Sequence, residues 1–260
     1  MSTGGFGDRD PEHTDSPGTT GTDRVESARL VVVGGHYGVG KSECSVAMAL
    51  HFVETEPDRP VTLIDLDVVN PYFRSREARK ILEDQGVRVI GNSLGIDTGV
   101  DLPAIPGTIA PTLRDPSRRV IVDLGGDPVG ARALRQFRPS IPTEDTLFLY
   151  VFNRYREQNR DAATAFASMR SIENVAGLEC GGILNNTHLL AETTCDHLTE
   201  GDRVVRELAT RAEVPVVYHA ATPELLNRCT RSFAGDPLPI RTALRQSWMN
   251  TGNDHTTRRK

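Results

Sequence analysis

Residues 30–42 read LVVVGGHYGVGKS and pass from a β-branched run, through a glycine-rich turn, to a lysine and a serine. Gly35, Gly40, Lys41 and Ser42 satisfy the pattern G-x-x-x-x-G-K-[ST], in the strand-to-helix context that this pattern requires. Glycines allow consecutive backbone N–H groups to converge on a phosphate, and the start of the following helix adds partial positive charge. The segment therefore predicts a phosphate-binding loop between a strand and a helix.

The lysine and the serine of this loop have separate predicted roles. Lys41 is expected to reach the β and γ phosphates of a nucleotide and to act in catalysis, and Ser42 to supply a hydroxyl ligand for Mg²⁺. An ordinary glycine turn is the alternative interpretation. A Rossmann dinucleotide site fits less well, because the glycines do not match G-x-G-x-x-G and that motif has no use for a lysine. The predicted nucleotide-binding residues of the loop are Gly35, His36, Tyr37, Gly38, Val39, Gly40, Lys41, Ser42 and Glu43.

From Arg29 onward, β-branched runs alternate with amphipathic stretches, as in repeated βαβ units. The predicted fold is therefore α/β, with a three-layer, doubly wound, mostly parallel sheet of the P-loop NTPase type. Predicted strands cover residues 30–33, 61–66, 87–90, 120–124, 147–152, 182–184 and 214–218. Predicted helices cover residues 42–54, 76–85, 129–137, 161–172 and 201–212.

Three segments depart from this alternation. Residues 1–28 are rich in Gly, Ser, Thr, Asp and Pro and predict a disordered N-terminal tail. Residues 29–249 form the predicted nucleotide-binding domain, and residues 250–260 a loose C-terminal tail. Residues 91–116 are interrupted by glycines and prolines and predict a long loop. A loop of that length inside a domain is usually functional, so it is a candidate lid or partner surface.

Composition excludes several classes of protein. A net charge of −5 gives no electrostatic reason to expect nucleic-acid binding. No apolar run approaches the roughly 18 to 20 residues that span a bilayer. No signal peptide is evident, and the cysteines are scattered without a C-x-x-C pair. We therefore expect a cytoplasmic protein in a reducing compartment, with neither a membrane span nor a cysteine-built metal site.

Acidic residues follow two of the predicted strands. Asp65 and Asp67 lie at the end of the second strand, and Asp123 ends the fourth. The carboxyl ends of parallel strands open onto the crevice that holds the phosphate loop. Asp123 is expected to hold Mg²⁺ directly or through water, and Asp65 and Asp67 to orient the metal shell and the attacking water. Such acids are also common as helix caps and turn formers. Gly125 and Gly126 next to them predict a switch loop.

At these residues the chain resembles the MinD/ParA branch of P-loop proteins, the CobQ/CobB/MinD/ParA nucleotide-binding domain of the SIMIBI class. The resemblance covers about residues 29–226 and rests on the phosphate loop, the D-x-D segment and the segment around Asp123. It implies that Asp67 positions the hydrolytic water and that Asp123 serves Mg²⁺. It also implies that Asn185, which ends a strand, contacts adenine, although an asparagine there is also a common turn residue.

The loop departs from that family at one position. Members that form ATP sandwich dimers carry a second lysine, and alignment on Lys41 places His36 there. A histidine is shorter than a lysine and mostly neutral at pH 7 if its pKa is unperturbed. The sequence therefore leaves open whether a homodimer forms.

Together, motif and resemblance predict an ATP-binding protein with Mg²⁺ as cofactor, a slow ATPase that acts as a nucleotide switch on a protein client. Lys41 and Asp67 are the predicted catalytic residues. One alternative is an ATP-dependent kinase or ligase that covers a small molecule with residues 91–116. Another is a nucleotide sensor without turnover, suggested by the missing second lysine. GTP stays open, because the absence of an N-K-x-D signature is weak evidence for adenine.

Overall fold

The computed structural model describes residues 21–67, 76–91, 107–126 and 128–241. The strands are β1 (Leu30–Gly34), β2 (Val61–Asp65), β3 (Val87–Gly91), β4 (Arg119–Asp123), β5 (Thr146–Phe152), β6 (Cys180–Asn185), β7 (Val216–Ala221) and β8 (Asp236–Pro239). The helices are α1 (Gly21–Ser27), α2 (Lys41–Thr55), α3 (Arg76–Asp84), α4 (Ile109–Arg114), α5 (Pro128–Gln136), α6 (Ala162–Ala176), α7 (Cys195–Ala212) and α8 (Pro223–Arg228).

The strands form one sheet in the order β3-β2-β4-β1-β5-β6-β7-β8. Every pair of neighbours is parallel. Helices connect the strands and cover both faces of the sheet, so the α/β doubly wound prediction is confirmed. The predicted bounds of β1, β2, β3, α2 and α3 agree with the observed ones to within one residue at each end.

The central strand β1 shows how two cores arise from one sheet. Successive side chains of a strand point to opposite faces. Val31 and Val33 belong to a core shared with α1, α2 and α3, whereas Leu30 and Val32 belong to a core shared with α4, α5, α6 and α7. Because both faces are covered, all five residues of β1 are buried. This explains why the strand is a continuous apolar run rather than an alternating one.

The strand order reverses at β1, which lies between β4 and β5. In open α/β sheets, ligands bind in the crevice outside the carboxyl ends of the strands at such a reversal. The loop of residues 35–40 leaves the carboxyl end of β1 at this point. Pairing of β2 with β4 places Asp65 opposite Asp123, and pairing of β1 with β4 places Val33 opposite Asp123.

Helix α1 corrects the predicted boundary of the N-terminal tail. The sequence predicts disorder as far as residue 28, yet Gly21–Ser27 is helical and Val25 is buried. Arg119 of β4 explains the difference, because its buried guanidinium donates hydrogen bonds to the carbonyls of Val25, Glu26 and Ala28 and pairs with Glu56. A short helix held by contacts with distant residues leaves little apolar periodicity in its own sequence.

Three further elements, α4, α8 and β8, lie where the sequence predicts none. Helix α4 falls within the predicted loop 91–116 and buries Ile109 and Leu113, one turn apart. Strand β8 contains Pro237 and Pro239, which are tolerated because β8 is at the edge of the sheet and an edge strand needs fewer ladder hydrogen bonds. The rest of the predicted loop, residues 92–106, and the predicted C-terminal tail lie outside the described residues, as do residues 1–20.

Cys195 and Cys229 form a disulfide, with 5.6 Å between their Cα atoms. This runs against the reducing compartment that the cysteine spacing indicates. The two residues are 34 apart in sequence, and the fold brings the first residue of α7 to the end of α8. Cys44 and Cys180 are buried free thiols.

Across the part of the chain that the structure describes, no helix combines the length and the apolar character needed to cross a membrane.

Candidate functional site

The loop between β1 and α2 adopts a conformation that requires glycine. Gly38 has φ 76° and Gly40, which precedes the first residue of α2, has φ 88°. Both values lie in the left-handed region, where side chains with a Cβ are strained. A Cβ on Gly40 would also lie only 2.3 Å from Nδ2 of Asn186. Gly38 and the motif residue Gly40 are therefore needed for the shape of the turn, and Gly40 also for the close approach of Asn186.

Asn186 braces this turn from the end of β6. Its Nδ2 donates a hydrogen bond of 2.8 Å to the carbonyl of the buried Val39, and its backbone N–H donates to the carbonyl of Phe152 at 2.7 Å. The amide thus ties the phosphate loop to the neighbouring strands. Sequence analysis missed this residue, since the available signal, an Asn-Asn pair at a strand end, was assigned to Asn185.

Asn185 lies at the end of β6 and is buried. Its Oδ1 accepts hydrogen bonds from the backbone N–H of Thr187 at 3.2 Å and from the Thr187 hydroxyl at 2.7 Å. These bonds form the turn that follows the strand. Asn185 itself lines neither of the two cavities described below, but its partner Thr187 lines the second of them.

Lys41 begins α2 and is only 6% exposed. Its Nζ donates to the carbonyl of His36 at 3.2 Å, so the side chain folds back over the loop. Gly126, three residues after the end of β4, approaches the same place. A Cβ on Gly126 would lie 2.7 Å from Nζ of Lys41 and 2.7 Å from the backbone nitrogen of Tyr37. The segment after β4 is therefore in direct contact with the phosphate loop.

Asp123 ends β4 beside Lys41 and is fully buried. Burial raises the pKa of its carboxyl group from 3.8 to about 6, while the hydroxyl of Ser42 and the ammonium of Lys41 oppose this rise. Neither carboxylate oxygen makes a well-directed hydrogen bond with any of the described residues. Buried charged groups without partners are rare, because desolvation costs several kcal/mol. The position of Asp123 therefore fits a carboxylate that can act as a ligand for a cation.

The two acids after β2 occupy different positions. Asp65 accepts a hydrogen bond of 2.9 Å from the backbone N–H of Asp67 through Oδ1 and does not line the cleft. Asp67 is nearly buried, and its side chain does line the cleft. The D-x-D segment is therefore a turn in which the first acid sets the position of the second.

An open cleft of about 280 Å³ lies over the loop. Three of the predicted loop residues, Gly35, His36 and Val39, do not line it. It also contains residues that sequence analysis did not assign to the site. Its lining consists of Tyr37, Gly38, Gly40, Lys41, Ser42, Glu43, Asp67, Arg156, His188 and Leu190.

A second cavity, of about 170 Å³, lies beside this cleft and shares Glu43, His188 and Leu190 with it. Its lining is mostly apolar and comes from the ends of β6 and β7 and from α8. Sequence analysis missed it, because small residues at strand ends carry no recognisable pattern. The other lining residues are Asn186, Thr187, Ala191, Thr193, Ala220, Ala221, Thr222, Leu225 and Ile240.

The residues present fit Mg²⁺ only as a partner of phosphate. Within the ranges that the structure describes, no group of three or more His, Cys, Asp or Glu side chains is arranged to hold a metal. Mg²⁺ is usually bound by one or two carboxylates together with the phosphates of a substrate. The buried Asp123 with the nearby Ser42 hydroxyl matches that smaller set of protein ligands.

Comparison with models of protein families and with curated proteins finds no match. Among solved structures, FlhF complexed with GMPPNP and Mg²⁺ is 14% identical, with a TM-score of 0.40, and the match covers 61% of this chain and 55% of that one. FtsY from Mycoplasma mycoides is 14% identical, with a TM-score of 0.47, and the match covers 72% of this chain and 59% of that one. This chain thus spans less than two thirds of either protein. At this level of identity the likeness concerns the fold alone.

Proposed function

We propose that this chain binds ATP with Mg²⁺ over residues 35–43 and hydrolyses it slowly, as a nucleotide switch of the MinD/ParA type that acts on a protein client. One observation carries the proposal. At the start of α2, Lys41, Gly126 and the buried carboxylate of Asp123 converge on a glycine turn. A cation, a closely packed glycine segment and a buried acid are the parts that a γ-phosphate needs around it.

The phosphate chain is bound by backbone and lysine together. The N–H groups of the turn and the N-terminus of α2 provide partial positive charge at the floor of the cleft. Lys41 exchanges its bond to the His36 carbonyl for phosphate oxygens. Since Lys41 is almost buried, little water competes for that interaction.

Ser42 and Asp123 are the residues that hold Mg²⁺ in this proposal. The ion, when bound with nucleotide, neutralises charge on the β and γ phosphates. A pKa of about 6 leaves the carboxyl group of Asp123 mainly ionised at neutral pH, which metal binding requires. Asp65 acts indirectly, because it holds the backbone of Asp67. Asp67, at the cleft surface, accepts a hydrogen bond from the attacking water and orients it.

The apolar cavity receives the base. Adenine fits it better than guanine, because guanine presents an N1–H and an exocyclic amine that need an acceptor such as a carboxylate. Among the lining residues that the structure describes, Glu43 is the acid, and it belongs to the first turn of α2 on the phosphate side. Asn185 contributes to the base site through the turn at Thr187 rather than by direct contact. These features favour ATP over GTP.

Two large apolar side chains support a protein client at the rim of the cleft. Tyr37 is 62% exposed and Leu190 is 55% exposed, and both line the cleft. Because Tyr37 is part of the phosphate loop and touches Gly126, its surroundings change with the phosphate that is bound. A partner, or a second copy of this chain, that covers Tyr37 therefore senses the nucleotide.

Titration calorimetry with ATP, ADP and GTP in excess Mg²⁺ tests the proposal. We expect the wild type to bind ATP more tightly than GTP and Lys41→Ala to weaken ATP binding at least about 100-fold, since a buried charge–charge contact is lost. Lys80→Ala removes an exposed lysine on α3 and is the matched control. Asp67→Ala should keep binding but abolish phosphate release. A wild type that binds no nucleotide, or a Lys41→Ala variant that binds normally, would refute the proposal.

A further inference from the structure

Arg156 enters the cleft from the loop after β5. Its Nε donates a hydrogen bond of 2.7 Å to the carbonyl of Gly38, and its Cζ lies 3.4 Å from where a Cβ on Gly38 would be. It lines the cleft together with Lys41 and Asp67 but does not line the apolar cavity beside it. The guanidinium therefore faces the phosphate part of the site and not the base part.

The loop that carries Arg156 is tied down on both sides. The backbone N–H of Arg156 donates to the carbonyl of Asn153 at 3.0 Å, and its own carbonyl accepts from the N–H of the buried Asn159 at 2.8 Å. The hydroxyl of Tyr155 donates to Glu200 of α7 at 2.8 Å. Because folding has already ordered this loop, a ligand that meets Arg156 loses little affinity to ordering entropy.

Arg156 differs from the two neighbouring arginines in its ion pairing. Arg154 pairs with Glu200 at 3.1 Å, and Arg160 pairs with Asp161 at 3.4 Å. Arg156 forms no ion pair with a carboxylate among residues 21–67, 76–91, 107–126 and 128–241, and only its Nε makes a hydrogen bond there. The two terminal amino groups thus keep their donors available at the cleft that Arg156 lines, and a planar guanidinium matches the oxygens of a phosphate.

Without Arg156, acidic side chains outnumber basic ones in the described lining of the cleft. Lys41 is the other cation of its described lining, and Asp67 and Glu43 bring negative charge. His36 stands where a second lysine would add charge, and it does not line the cleft. A triphosphate brings one more anionic group than a diphosphate, so a further cation discriminates between them.

We infer that Arg156 is a second phosphate-binding cation of this site and makes it prefer the triphosphate to the diphosphate. The inference rests on the proposed function, since it assigns a further residue to the same nucleotide cleft. The terminal amino groups bind the β–γ end of the triphosphate, while Nε keeps its bond to Gly38 and holds the fork in place. Hydrolysis then removes the group that Arg156 recognises.

Arg156→Gln tests this role, because glutamine retains an N–H donor for the Gly38 carbonyl but has no charge. Titration calorimetry in excess Mg²⁺ compares ADP with the non-hydrolysable imido analogue of ATP. We expect the variant to bind the triphosphate analogue about tenfold more weakly, the effect of one lost charge-assisted hydrogen bond, and ADP within about twofold of the wild type. Arg156→Lys should recover part of the loss.

Arg160→Gln is the control, because Arg160 is an exposed arginine of the same loop that pairs with Asp161. It should leave both affinities unchanged. The inference is overturned if Arg156→Gln binds both nucleotides like the wild type, or if both affinities fall equally, which would mean that Arg156 only braces the loop. If the wild type binds neither nucleotide, the proposed function fails first. A wild type that binds while Arg156→Gln keeps its preference refutes the inference alone.

Discussion

The carboxyl group of Asp123 is fully buried, and neither of its oxygens makes a well-directed hydrogen bond with the described residues. Desolvation raises the pKa of this group from 3.8 to about 6. The folded protein therefore holds a proton on Asp123 more tightly than the unfolded chain does. Between these pH values, unfolding releases a proton, and the free energy of unfolding falls as the pH rises. Above about pH 6 the full cost of the buried charge is present.

Asp123→Asn should therefore stabilise the protein when metal and nucleotide are absent. The shift from 3.8 to about 6 corresponds to about 3 kcal/mol. We expect the variant to exceed the wild type by up to about 3 kcal/mol at pH 8 and the difference to vanish near pH 4. Urea unfolding in EDTA at several pH values measures this.

Asp58→Asn provides the comparison, because it removes an exposed carboxylate from the turn after α2. It should show no such dependence on pH. A variant Asp123→Asn that is less stable than the wild type at pH 8 would contradict the pKa direction. The same substitution should weaken Mg²⁺-dependent ATP binding, so that function and stability change in opposite directions.

The contact between the segment after β4 and the phosphate loop joins two elements that are far apart in sequence. Gly126 approaches the backbone of Tyr37 so closely that even a methyl group would not fit. The lysine at this place can move its flexible end, but the backbone of the loop is fixed by Asn186 and by the start of α2. Any side chain at Gly126 therefore has to displace one of the two segments.

Gly126→Ala should weaken ATP binding by about tenfold or more, because a displaced loop no longer aims its N–H groups at one phosphate. Gly107→Ala is the matched control, since a Cβ at Gly107 meets nothing within 4 Å. Titration with ATP and a thermal unfolding curve for each variant separate lost binding from lost folding. Normal affinity in Gly126→Ala would show that the contact is unimportant for the nucleotide.

Helices and strands were predictable where a local apolar pattern in the sequence corresponds to the residues that are buried in the structure. The strand β1 and the helix α2 follow from one apolar run and one amphipathic stretch, and the glycines between them follow from the turn. By contrast, α1 depends on Arg119, and β8 depends on its position at the edge of the sheet. Contacts between distant residues determine these two elements, and local pattern does not reveal such contacts.

The site was predictable to the same degree. Residues within a motif, such as Lys41 and Ser42, stand beside the cleft as their spacing predicts, and Asp67 does as well. Arg156 enters the cleft and Asn186 braces its loop, both from segments after other strands, and neither belongs to a motif. Strand order decides which loops meet, so these residues could be identified only after the sheet was known.

The disulfide is a covalent link between the beginning of α7 and the end of α8. The two cysteines are separated by 34 residues, and closing a loop of that length stabilises a folded domain by about 3 to 4 kcal/mol in the chain-entropy description. We expect the double variant Cys195→Ser, Cys229→Ser to lose about 3 kcal/mol in its free energy of unfolding in urea.

A reducing agent should lower the stability of the wild type by a similar amount and should leave the double variant unchanged. This comparison separates the loss of the bond from any effect of the serine side chains. Thiol titration of the denatured protein without reductant should find only Cys44 and Cys180. If all four cysteines react, the disulfide is absent and the prediction fails.

The place of β1 in the sheet has a mechanical consequence for the entire chain. Strands β2, β3 and β4 lie on one side of it, and β5, β6, β7 and β8 on the other. Asp67 reaches the cleft from the first side, and Arg156 and His188 from the second. A ligand seated above β1 would therefore contact both flanks at once, in addition to the two cores that already join them. Its departure would remove that link and leave the packing of the two cores to hold the flanks together.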